Sequence, residues 1–85
     1  MFYTYILKSL RDSELYVGST KDLKSRFVKH NSGLLASTRS RVPFKLVYYE
    51  AYAAESDARR RERQLKFRRN SRRLLLNRIS DSLAS

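Results

Sequence analysis

Cysteine is absent from this 85-residue chain, and histidine occurs once. The first absence excludes a disulfide framework and any thiolate-held zinc site; the single histidine excludes a multi-histidine metal centre. Acidic residues are scarce too, with 8 Asp and Glu against 19 Lys and Arg, for a formal net charge of +11. That excess is beyond the magnitude of about 2 to 8 that keeps a small domain soluble, so an anionic partner is expected. No long apolar run is present and tyrosines are interspersed among the cations, which favours nucleic acid over a membrane. The amino-terminal Met-Phe-Tyr-Thr-Tyr-Ile-Leu-Lys has neither a charged leader nor a long hydrophobic stretch, so export is not expected and the cytoplasm is the default.

What is there organises into one domain, expected over residues 1–79, with a small polar tail over 80–85 that is expected to fray. Phe2 to Leu7 is aromatic and β-branched, and after a break at Ser9 to Ser13 the run Leu15-Tyr16-Val17 completes an antiparallel hairpin. Its turn contains no glycine, so the pattern leaves the register open, and a slip of one residue would change the face on which Tyr16 lies relative to Tyr5. Thr20 or Asp22 can cap a helix running to about Asn31, with Gly33 as terminator. In that helix Leu23, Arg26, Phe27 and His30 follow i, i+3, i+4, i+7, so Arg26 and His30 point toward the sheet or its margin.

Residues 32–42 lack a sustained period and mix hydroxyl residues with Arg39 and Arg41, as a surface loop able to hold a phosphate backbone would. A third strand is expected from Phe44 to about Tyr52, with Leu46, Tyr48 and Glu50 alternating with Val47, Tyr49 and Ala51. From about Glu55 the pattern is helical, breaks near Asn70-Ser71, and closes with a short helix. Nine arginines and one lysine, ten of the 19 cations, lie between Arg59 and Arg78 with Glu62 as the only acid among them. Ala58, Glu62 and Leu65 share one stripe, which turns this carboxylate inward while Arg59, Arg60 and Arg63 face solvent and a polyanion. An inward carboxylate needs a partner: Arg26, its helix neighbours Arg59 and Arg63, or a metal ion. The expected fold is α+β, a small three-stranded antiparallel sheet flanked by helices in the order β-β-α-β-α-α.

Tyr3-Thr4-Tyr5, Tyr16-Val17-Gly18, then Arg26, His30-Asn31 and a helical Glu62, in that order, resemble the GIY-YIG nuclease family. The likeness spans roughly residues 2–79 and is greatest to its small stand-alone members, which are similar to the nuclease domain of the bacterial excinuclease. It implies hydrolysis of a phosphodiester with one divalent ion, Mg²⁺ or Mn²⁺. It also implies Tyr5, Tyr16, Arg26 and His30 as catalytic residues, Glu62 as metal ligand, and a late asparagine that matches Asn77 or, less well, Asn70. Three positions depart from the family pattern: Tyr3-Thr4 replaces Gly-Ile, and Ser19 stands where some relatives carry a lysine that Lys21 would then replace.

The chemistry suits these residue types. An ordinary phenol is only about 0.1% ionised at pH 7, so a tyrosine base needs neighbouring cations. A guanidinium grips a phosphate in a bidentate way that lysine does not reproduce. One hard carboxylate suffices for an ion that keeps its waters. The expected activity is thus a metal-dependent endonuclease directed by DNA structure, with DNA favoured over RNA, a link to repair or recombination, and a protein partner for specificity. The alternative is a non-catalytic nucleic-acid-binding module on the same fold.

Overall fold

The computed structural model describes residues 1–85. Three strands, β1 (Phe2–Ser9), β2 (Leu15–Thr20) and β3 (Phe44–Tyr52), form an antiparallel sheet in the order β2-β1-β3. Helix α1 (Leu23–Asn31) follows β2, and α2 (Glu55–Phe67), α3 (Arg69–Arg78) and α4 (Ser80–Ala84) follow β3. The expected α+β order is therefore present, with one more helix at the end.

Strand β1 is central and covered on both faces, which is why four consecutive residues, Thr4 to Leu7, are buried where a half-exposed strand would alternate. One face carries Tyr5, Leu7 and Phe44, packed by Leu23 and Phe27 of α1. The other carries Ile6 and Val17, packed by Leu65, Leu75 and Ile79 of α2 and α3 and the residue after them. The small chain thus has two thin cores that share a strand.

The hairpin turn is built by side chains. Ser9 Oγ accepts from the amides of Arg11 and Asp12, Asp12 Oδ1 accepts from the Glu14 amide, and Ser13 takes the left-handed region at φ 62°. This turn pairs Tyr5 with Gly18 and Leu7 with Tyr16, so Tyr5 and Tyr16 lie on the same face. Asp22 is the residue that caps α1, accepting from the Ser25 amide, and Gly33 turns the chain after it at φ 80°.

Four expectations need correction. The alternation read in β3 is broken by a bulge: Leu46 pairs with Leu7 and Tyr48 with Ile6, so Leu46 joins Tyr49 on the α1 face. The segment 32–42 is more than a surface loop, since Thr38 is buried and Arg39–Arg41 forms a 3-10 turn. The break between the last long helices falls at Arg68, which is extended, rather than at Asn70-Ser71. Finally, the tail at 80–85 is helical through Ala84. Leu83 packs against the second core, Lys8 donates to the Leu83 carbonyl at 2.8 Å, and Lys45 donates to the Ser85 carbonyl. One apolar side chain and two strand lysines hold a segment whose composition alone suggests fraying.

Candidate active site

The tyrosine of the first motif is deeply set. Tyr5 is 2% exposed, and its hydroxyl lies 2.8 Å from His30 Nε2. The glycine of the second motif makes this possible: a Cβ on Gly18 would stand 2.5 Å from the Tyr5 hydroxyl oxygen, closer than any real contact. The phenol therefore occupies the space that a side chain opposite it would fill.

His30 is itself fully buried, and its other nitrogen, Nδ1, lies 2.9 Å from Thr38 Oγ1. Burial, reinforced by the charge of Tyr16, pushes the Tyr5 phenol well above its ordinary value, Arg26 counteracts this in part, and Glu62 adds to the rise. Burial, with the nearby Arg26 charge, holds the His30 imidazole below 6.5. A neutral phenol beside a neutral imidazole makes Tyr5–His30–Thr38 a chain of uncharged hydrogen bonds, with one ring nitrogen donating and the other accepting. Tyr16, half-buried, packs edge-on against the same imidazole at 4.9 Å between ring centroids. Unlike that of Tyr5, its hydroxyl has no hydrogen-bond partner within the protein.

A polar cleft of about 220 Å³ opens beside this group, lined by Ser19, Thr20 and Lys21 at the end of β2, Arg26 of α1, and Glu55 and Arg59 of α2. Arg26 takes part in none of the five ion pairs. Glu62 stands behind Ser19. Its Oε1 accepts from the Ser19 hydroxyl at 2.7 Å and its Oε2 pairs with Lys66 at 2.8 Å. Burial works to raise this carboxyl; the bonds from Lys66 and Ser19, with the charges of Lys66 and Arg59, overcome burial and hold it below 4.5.

The five residues do not share one face of the sheet. Tyr5, Tyr16 and His30 lie under α1, whereas Ser19 and Glu62 lie on the α2 side, because Gly18 and Ser19 are neighbours in a strand and point opposite ways. Arg26 and Ser19 line the cleft at the β2 edge, whereas Tyr5, Tyr16, His30 and Glu62 do not, and the charges of Arg26 and Glu62 are both felt at the Tyr5 phenol.

The other basic candidates divide. Lys21 and Arg59 line the cleft, Arg59 with a long 3.7 Å contact to Glu55. Arg39 and Arg63 are exposed and unpaired, and Arg60 is tied to Asp57 at 2.9 Å. Arg41 is a structural latch: it pairs with Asp12 at 2.9 Å, donates to the Leu15 carbonyl and lies over the Phe44 ring. Neither Asn77 nor Asn70 lines the cleft; both are exposed on α3. Asn31, next to His30, brackets the backbone of Phe44 with both atoms of its amide.

Thr38, Ser19 and Lys66 join the site without having been expected there. Lys66 was legible, standing four residues after Glu62 on the same helix; Thr38 gives no signal in a stretch without periodicity.

No group of three or more His, Asp or Glu side chains is placed to hold a metal. The donor set at Glu62, one carboxylate beside the Ser19 hydroxyl and an exchangeable lysine, fits a hard ion that retains most of its water and no ion that demands several protein ligands. No helix is long and apolar enough to cross a membrane.

Comparison with known proteins shows the family. A model of the GIY-YIG catalytic domain matches residues 1–75. A UPF0213 protein of Staphylococcus saprophyticus is 43% identical over 65 residues, covering 75% of this chain and 78% of its own. A UPF0213 protein of Clostridium perfringens is 45% identical over 67 residues, covering 78% of this chain and 71% of its own. The solution structure of a UPF0213 protein from Bacillus halodurans is similar at a TM-score of 0.55 and 36% identity, over 91% of this chain and 84% of that one. The chain belongs to the GIY-YIG catalytic domain family, a domain of nuclease type, and its relatives are small stand-alone members.

Proposed function

We propose that this protein is a divalent-metal-dependent endonuclease that hydrolyses DNA phosphodiester bonds, directed by substrate structure and linked to repair or recombination. One observation carries the reading: Arg26, free of any acidic partner, faces a cleft shared with Lys21 and Arg59, beside a buried Tyr5–His30–Thr38 chain. A half-buried guanidinium without a carboxylate is costly to keep unless an anion arrives, and a phosphate satisfies its fork.

Hydrolysis requires a water oxygen to bond to phosphorus, its proton to go to a base, and the bond to the leaving oxygen to break. Arg26 binds the scissile phosphate and offsets the charge that grows on its oxygens. Tyr16 is the better base of the two tyrosines, since its hydroxyl is free while that of Tyr5 is buried, kept protonated and spent on His30. Tyr5 and His30 position Tyr16 from behind. Glu62 would hold one Mg²⁺ or Mn²⁺ ion, which when bound supplies Lewis-acid stabilisation of the phosphoryl oxygens. The net charge of +11 supplies sequence-independent affinity, and specificity falls to DNA shape or a partner protein.

A second reading, a non-catalytic nucleic-acid-binding module, is favoured by one feature: both oxygens of Glu62 are occupied by protein donors. Incubating branched, nicked and single-stranded DNA with Mg²⁺ or Mn²⁺, for the natural protein and Glu62→Ala, separates the two. Cutting by the natural protein alone is expected. Salt-sensitive binding by both proteins with no cutting by either would establish the binder.

A further inference from the structure

Beside the cleft, on the α1 face, lies a second and larger depression of about 460 Å³ that the nuclease chemistry does not use. Tyr3, Leu23, Phe27, Leu46 and Tyr49 line it, and its volume falls in the range of about 300–1,000 Å³ typical of ligand sites. The bulge in β3 builds it by turning Leu46 to this face beside Tyr49. Tyr49 is 52% exposed and held edge-on by Tyr3 at 5.9 Å between centroids, so half of its surface is open to solvent.

Lys21 and Lys24 stand on the rim, and the one acid there, Asp22, is spent on the cap of α1. Lys21 lines both depressions, and Tyr3 pairs across the sheet with Thr20, which lines the cleft. The aromatic groove and the phosphate cleft are therefore contiguous.

Resting on the nucleic-acid reading of the cleft, we propose that this groove is a stacking subsite for an unpaired nucleobase of the strand whose phosphate lies at Arg26. A flat, uncharged ring on an anionic backbone matches an aromatic floor with a cationic rim. A second copy of the chain is a poor occupant, because it brings another +11 of charge to a lysine-rimmed face. The protein therefore acts where a base is displaced from its pair.

The test measures binding by the full chain, without divalent metal, to a labelled single strand, the same strand with abasic positions, and the matching duplex, in deoxy and ribo forms. Tyr49→Ala is expected to weaken single-strand binding about tenfold while leaving the duplex, the abasic strand and the salt slope unchanged. Tyr49→Phe keeps the ring and should bind as the natural protein does. Loss in both the deoxy and ribo strands, or in one alone, supports the subsite and identifies the strand it takes. Equal weakening of single strand and duplex, no weakening, or a dimer that Tyr49→Ala dissociates would overturn it. Absence of any salt-sensitive binding would instead remove the nucleic-acid reading on which it rests.

Discussion

The two faces of the sheet bury polar groups by opposite means. Under α1, Tyr5, His30 and Thr38 are joined in a chain of neutral hydrogen bonds, with no charge in the chain itself. Under α2, Glu50 takes hydrogen bonds from Tyr48 and Tyr52 and an ion pair from Arg61 at 3.0 Å, and Glu62 is held by Ser19 and Lys66. Burial works to raise the Glu50 carboxyl, but its donors hold it below 4.5, and burial and the same bonds push the Tyr48 and Tyr52 phenols up to about 12. A fully buried group keeps itself neutral, whereas a half-buried group can keep its charge if donors surround it. The same 85-residue chain thus holds a proton-bearing wall and an ionic wall, and the cleft opens at the β2 edge.

Several changes would break or sharpen that contrast. The largest effect is expected at the cleft. Arg26→Lys keeps the charge but loses the fork, so the cleavage rate should fall by about 10² or more with melting temperature unchanged, as read by single-turnover kinetics and thermal denaturation. On the neutral side, Gly18→Ala drives a methyl into the Tyr5 phenol and should destabilise the fold by about 1–3 kcal/mol, measured by urea denaturation. A smaller, pH-dependent effect distinguishes the walls. The folded His30 lies below its ordinary value of 6.5, so the unfolded chain binds more protons between the two values. Its contribution to stability is then full above 6.5 and is lost as pH falls through the folded value. The carboxylates Glu50 and Glu62, held below 4.5, keep theirs in full down to that pH. Melting temperature should therefore begin to fall below about pH 6.5, before these carboxylates contribute, and His30→Gln should remove that first decline. The smallest effect is Arg63→Ala on the exposed side of α2, where stability should hold and the salt slope of DNA binding should fall by about one.

The expected site was legible to different depths. Arg26 and His30 could be placed inward from a four-residue stripe, and Glu62 from its spacing to Ala58 and Leu65, because helical periodicity is a local property. Tyr5 and Tyr16 could be named but not placed relative to one another, since that needs a register set by Ser13 in a left-handed turn and by side-chain bonds of Ser9 and Asp12. Thr38 lies eight residues from His30 in a stretch without pattern, and no local rule brings it under the imidazole. The carboxy-terminal helix is hidden from the sequence for a related reason: its few apolar atoms matter only because Lys8 and Lys45 of the sheet reach its carbonyls.

By itself, the sequence determined the order of the strands and long helices, the polarity of helix faces, the excess of positive charge and the residue types of the candidate site, all of which depend on short spacings and composition. Tertiary structure alone decided that Glu62 and the tyrosines lie on opposite faces of the sheet, that the bare Cα of Gly18 admits a phenol, and that Arg26 is left unpaired beside the cleft. Those outcomes rest on contacts between residues far apart in the chain, such as Tyr5 with His30 and Ser19 with Glu62 at separations of 25 and 43, whose partners no local pattern specifies.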